Sequence, residues 1–326
     1  MGRGLKAFLG IAFSLVLLGL LIWWQPMDEY LAVWQQATLW PIAVVFLLTI
    51  PMVMLRARQT QSLARLQGMQ VGFGPLVGLQ LATTFYGLFV PGVVAVGVLR
   101  WYRLAKLGGD PKATMALVVF SRLLEIEMAL LLGLIFWMLD PLAPGSPGLP
   151  ITFFLIWAVT ALTRFAAFHP WTANRLEGLI VAYWPAQRLG GIRSRLIGLL
   201  GVTARYGTLT GRAWATLLTN VLASNALGLL SASLAAMAVG MEVSLITLGW
   251  ARAILALALL LPITWAGIGL REATLAGALV AAGQPAAASV ALGLLLSLRV
   301  VLEAAAGGLV ELHAWLSPSP QQRSNP

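Results

Sequence analysis

Seven ionisable residues lie within or beside apolar stretches of this sequence: Arg100, Arg122, Glu125, Arg271, Glu272, Arg299 and Glu303. Arg122 and Glu125 stand at i,i+3 and Arg299 and Glu303 at i,i+4. On helices, each pair shares a face and partly neutralises itself. Glu127 points to another face of the same helix as Glu125. Arg271 and Glu272 follow Pro262-Ile263-Thr264-Trp265-Ala266-Gly267-Ile268-Gly269, where an unwound backbone would offer free amides and carbonyls. A charged side chain at the centre of a bilayer costs about 2.5–3.5 kcal/mol unless it is paired or wetted, so each of these residues needs a reason. The chemistry they suit is capture of an anionic group by Arg100, Arg122, Arg271 and Arg299, with the glutamates balancing charge or carrying a proton. The plainer reading is that the pairs only staple helices together.

Bond-making chemistry finds no such set. No pair of aspartates is placed for a divalent metal, and no Ser/His/Asp arrangement is visible. The chain has no cysteine, which removes disulfides, thiolate metal sites and cysteine nucleophiles. His169 and His313 sit near span ends without metal-ligand spacing. No catalytic residue, metal or cofactor is therefore expected, and the chain does not read as an enzyme. The net charge of +10 falls in short loops between apolar spans, where membrane topology explains it without nucleic acid.

These residues have to be positioned by membrane helices. Of 326 residues 60% are hydrophobic and only 10% charged, and mean hydropathy is +0.88. A soluble domain is roughly half apolar. Spans long enough to cross a bilayer recur at Phe8–Trp24, Leu39–Leu55, Ala113–Leu139, Ile151–Phe168, Trp214–Val239 and Ala286–Leu312. None alternates apolar and polar residues as a barrel strand does. The first has basic residues ahead of it, but Trp23, Trp24 and Pro26 follow in place of a cleavage site, so it reads as a retained helix. Trp40, Trp101, Trp171, Trp184 and Trp315 also lie near span ends, as interfacial anchors do.

The positive charges assign the loops to sides. Arg3 and Lys6 place the N-terminus in the cytoplasm. Arg56, Arg58 and Arg65 bring the chain back there, and Arg100, Arg103, Lys106 and Lys112 are basic again. The stretch between these clusters, 71–99, enters and leaves by one face and is rich in Gly and Pro, the pattern of a broken re-entrant hairpin. Residues 169–213 form a basic cytoplasmic loop whose Arg-studded apolar pattern suggests a helix lying on the inner leaflet. A second broken stretch, 245–283, would open to the opposite side, with Arg252 and Arg271 on or near the outer face. The expected architecture is an all-α polytopic membrane protein: one domain, 1–316, with six transmembrane helices, two re-entrant hairpins and a polar tail, 317–326. If the hairpins cross fully the count becomes eight, and both termini are cytoplasmic.

The two broken stretches also share an order of motifs. Pro91, Gly92, Gly97 and Arg100 precede Gly109-Asp110-Pro111, then Arg122 and Glu125. Pro262, Gly267, Gly269 and Arg271-Glu272 precede Gly283-Gln284-Pro285, then Arg299 and Glu303. With the hairpins on opposite sides this is an inverted repeat, the usual build of secondary transporters.

Phe85-Tyr86-Gly87-Leu88-Phe89-Val90-Pro91-Gly92, continuing to Gly97 and Arg100, resembles the first motif of the lysylphosphatidylglycerol synthase transmembrane-region family, also called flippase-like membrane proteins. Leu261 to Glu272 is similar to its second, more specific motif. The resemblance runs over about residues 8–312 and departs from the family's usual residues at Gly87, Val98 and Thr264-Trp265. It implies an inner-membrane protein that moves a lipid or lipid-linked group between leaflets. Nothing after Trp315 resembles the soluble aminoacyl-transfer domain of the bifunctional members, so synthesis of an aminoacylated lipid is not expected. The leading expectation is thus a lipid flippase or scramblase for a phospholipid or polyprenyl-linked lipid, with an anionic head group as its partner. The alternatives are a non-catalytic membrane partner of a lipid-modifying enzyme and a membrane-embedded lipid transferase. A homo-oligomer is compatible with each.

Overall fold

The computed structural model describes residues 19, 27–90, 93–141, 143–145, 148–183, 186–261 and 267–316. The first expected span falls almost wholly outside them, as do Pro91, Gly92, Pro262 and the polar tail. Among the described residues the fold is all-α: α1 (Met27–Gln35), α2 (Leu39–Leu47), α3 (Thr49–Leu66), α4 (Phe73–Gly87), α5 (Val93–Lys106), α6 (Pro111–Leu139), α7 (Gly148–Phe168), α8 (Pro170–Tyr183), α9 (Ala186–Ala204), α10 (Gly211–Ala238), α11 (Leu245–Ala258), α12 (Leu270–Ala281) and α13 (Ala286–Leu316). A 3₁₀ turn, Arg205–Thr208, joins α9 to α10.

Among the described residues four segments have the length and apolar character to cross a membrane: Leu39–Leu66, Gly148–Phe168, Gly211–Ala238 and Ala286–Leu316. The 29 residues of α6 are as long, but Arg122, Glu125 and Glu127 interrupt its apolar run. At 1.5 Å per residue each of the longest helices reaches roughly 40 Å, more than the hydrocarbon thickness. The hitch at Leu48 between α2 and α3 has its cause in Pro51, which has no N–H to give the Leu47 carbonyl.

Nine of the thirteen described helices fall into two units with the same order. Segment 39–66, short α4, a break, short α5 and long α6 make the first; α10, short α11, a break, short α12 and long α13 make the second. Matching details go beyond order. The leading segment of each unit ends in a Schellman turn: Met69 N–H donates to the Ala64 carbonyl at 3.0 Å, and Met241 N–H to that of Ala236 at 2.9 Å. The residue at the turn is left-handed in both, Gly68 with φ 76° and Gly240 with φ 68°, a conformation that costs glycine no steric energy.

The units are woven together. The first arm of each, α4 or α11, packs on the long helix of the other. Glycines permit both approaches: a side chain at Gly307 of α13 would collide with the Leu81 carbonyl and Phe85 of α4, and one at Gly133 of α6 with Ala253 of α11. Two apolar cores result. One gathers Leu63, Leu76, Leu117, Phe120 and Tyr206, and the other gathers Trp137, Leu248, Trp250, Leu275 and Leu292. Along α6 the first core takes residues up to Leu124 and the second starts at Leu130, so Arg122 and Glu125 sit where the two meet.

The loop expected at 169–213 is largely helical, as α8 and α9, and α8 exposes Trp171, Leu176, Leu179 and Tyr183 beside Arg175. Arg175 lies 5.4 Å from the Trp171 ring centre.

Candidate functional site

Between the two units lies a cavity of about 440 Å³. Both breaks border it: Leu88 and Val90 come from the first, and Leu259, Leu261 and Gly267 from the second. Its charged lining is Arg56 of α3, Arg100 of α5, Arg122 and Glu125 of α6, Arg271 of α12, and Arg299 and Glu303 of α13. Five arginines face two glutamates, a formal excess of three positive charges. Arg122, Glu125, Arg299 and Glu303 stand near the middle of the two longest described helices, so four of these seven charges lie far from the helix ends.

Six of the seven residues singled out from the sequence line this cavity: Arg100, Arg122, Glu125, Arg271, Arg299 and Glu303. Glu272 does not. Its side chain is fully buried at the start of α12, where the carboxylate accepts the Gly269 N–H at 2.8 Å and Oε1 has no partner. It stands three residues into the helix after Gly269, the position from which a carboxylate caps the first turn. Of the glycines read as hairpin breakers, Gly97 and Gly267 line the cavity, while Gly269 precedes α12 with φ 82°. Arg271 lines the cavity, and Arg252 donates to the Gly228 carbonyl at 2.6 Å.

The charge pairs differ from the sequence reading in one respect. Arg122 and Glu125 do meet on α6, at 3.4 Å. Arg299 and Glu303 do not form the expected pair. Glu303 turns to Arg56 at 2.7 Å and also accepts from Thr84 Oγ1 at 2.8 Å, while Arg299 Nη1 points to Met52 Sδ at 3.2 Å. A carboxylate with only a 2% exposed side chain takes two donors from two neighbouring helices, Arg56 of α3 and Thr84 of α4, over a single flexible one on its own helix.

Arg56 is the residue that sequence reasoning missed. The charge pattern places it with Arg58 and Arg65 in a loop, but α3 continues to Leu66 and turns Arg56 inward while Arg58 stays exposed. A network builds on it: Thr60 Oγ1 donates to the Arg56 carbonyl at 2.9 Å and accepts from Gln80 at 3.0 Å and from Arg100 Nη2 at 2.7 Å. The first unit thereby fixes Arg100 from α3 and α4. The i,i+4 spacing of Arg56 and Thr60 within an otherwise apolar face was the available signal.

Two further ion pairs lie outside the cavity. Glu127 is held by Arg164 of α7 at 2.8 Å. Arg103 forks onto Glu311, which also accepts the Tyr86 hydroxyl at 2.9 Å, tying α5 and α4 to the end of α13.

Fold and site together define an all-α multi-pass membrane protein with a cationic cavity between two repeated helical units. The model of the family described as the lysylphosphatidylglycerol synthase TM region matches residues 8–307, and the chain belongs to that family. No curated protein and no solved structure matches it.

Proposed function

We propose that this protein moves a phospholipid or polyprenyl-linked lipid between the leaflets of the cytoplasmic membrane, as a flippase or scramblase, without making or breaking a bond. In this reading α4–α5 and α11–α12 are re-entrant hairpins of an inverted repeat, both termini face the cytoplasm, and an anionic head group travels through the cavity while its chains stay in lipid. The observation that carries the reading is the convergence of both helix breaks on one cavity lined by five arginines and two glutamates. Charges so far from the helix ends call for water or a polar ligand, and helix breaks from two repeats around a central site are a transporter's means of alternating access. Family membership supports a role in lipid synthesis or movement.

The test is leaflet exchange of a fluorescent anionic lipid in proteoliposomes, comparing the intact protein with Arg271→Ala. Exchange that falls at least tenfold in the variant is the expected result. Folded protein that moves none of a broad panel of phospholipids and polyprenyl phosphates would overturn the reading and favour a non-catalytic partner of a lipid-modifying enzyme, recognised by a protein that copurifies with it.

A further inference from the structure

Arg122 and Arg299 occupy the middle of the long helix in their respective units, and they are held alike. Each is anchored at Nη1, Arg122 by Glu125 at 3.4 Å and Arg299 by Met52 Sδ at 3.2 Å, and each leaves a buried Nε without a partner. Arg100 is held differently, with Nη2, the donor beside Nε, on Thr60, and only Nε unpartnered. Two guanidinium edges, those of Arg122 and Arg299, thus have both donors unused beside one cavity, and Arg100 adds a third unpartnered Nε–H from another helix. The Nε edge of a guanidinium is a fork that matches two oxygens of a single phosphorus.

We infer that the cavity takes a terminal phosphate carrying two or more negative charges, a phosphomonoester or diphosphate, in preference to a singly charged phosphodiester or an aminoacylated head group. The inference rests on the transport reading for the lipid's presence but concerns the head group alone. A phosphodiester has two non-bridging oxygens and one charge, which leaves most of the threefold cationic excess unbalanced and at least one fork empty. A phosphomonoester presents three terminal oxygens and close to two charges at neutral pH, its second ionisation lying near pH 6. A cationic aminoacyl group would add to the excess.

The experiment measures binding to the purified full chain by thermal shift and by competition with a fluorescent lipid. The probes are farnesyl phosphate, farnesyl diphosphate, short-chain phosphatidic acid and short-chain phosphatidylglycerol, with glycerol 3-phosphate as the lipid-free source of the same group. Phosphomonoester and diphosphate lipids are expected to bind at least tenfold more tightly than the phosphodiester. Their affinity is expected to rise between pH 5 and 7.5 by more than that of phosphatidylglycerol, which has no second ionisation; Glu125 and Glu303 are the titratable groups that face the site beside its five arginines. Glycerol 3-phosphate binding as tightly as the lipids would make the site one for a soluble phosphate and overturn the lipid part of the inference. Arg122→Gln and Arg299→Gln are each expected to erase the preference, and Arg122→Lys, which keeps the charge without the fork, to restore less than half of it. Equal affinity for phosphatidic acid and phosphatidylglycerol overturns the inference even if both lipids cross the bilayer. Selective phosphomonoester binding with no transport of any lipid would instead sustain it and refute the transport reading.

Discussion

The two units carry the same kind of charge pair on the same kind of helix and use it differently. In the first, Glu125 stays with Arg122 on its own helix, at 3.4 Å, with side chains 30% and 40% exposed. In the second, Glu303 is 2% exposed and reaches across to Arg56 and Thr84 of the first unit, leaving Arg299 without a carboxylate. One glutamate is thus a strut between units and the other a loose counter-ion within the cavity. A repeat can thus keep its framework while dividing stability and ligand handling between equivalent residues.

The strut gives the largest expected effect. Glu303→Ala removes the buried member of a pair whose Arg56 is 35% exposed, together with the bond from Thr84, and is expected to cost about 2–3 kcal/mol in unfolding from detergent, with a coupling to Arg56→Ala of at least about 1 kcal/mol in a double-mutant cycle. A coupling near zero would erase the contrast between the units. Next comes the interlock of arms and long helices: Gly307→Val meets a backbone carbonyl and is expected to cost about 2 kcal/mol, while Gly277→Val, on an open face of α12, is expected to change stability far less. Equal losses at the two glycines would deny that α4 and α13 approach closely. The smallest stability effect belongs to the loose pair, where Glu125→Ala is expected to cost at most about 1 kcal/mol yet to alter exchange of anionic lipid. Destabilisation by Glu125→Ala as large as that of Glu303→Ala would make the two pairs equivalent after all.

The architecture was legible because it is written in period and punctuation. Apolar runs located α6, α7, α10 and α13 to within a few residues but ended the segment before α4 at Leu55, whereas α3 runs on to Leu66; Gly and Pro fall between the arms of each unit, and the order of motifs announced two units. Six of the seven charged residues that the apolar context made expensive do line one cavity. What stayed hidden depends on neighbours that no local pattern names. Arg56 sits near two other arginines, so charge counting assigned it to a loop, and only the continued turn of α3 shows that it faces inward. Glu303 had an apparent partner at i,i+4, but its choice of Arg56 is settled by the packing of α4 on α13. Glu272 belongs to the helix start at Gly269, a role that its three-residue spacing carried but its place beside Arg271 obscured.

Passage of lipid through the cavity between the units can be tested directly, because the chain has no cysteine. Val300 lines the cavity. Leaflet exchange of an anionic lipid would be measured in proteoliposomes of Val300→Cys before and after reaction with a bulky thiol reagent, with the unreacted protein as its own control for folding. Exchange that is fast before reaction and lost after it is the predicted result. Exchange that continues undiminished when the cysteine is fully modified would place the path elsewhere and contradict the account.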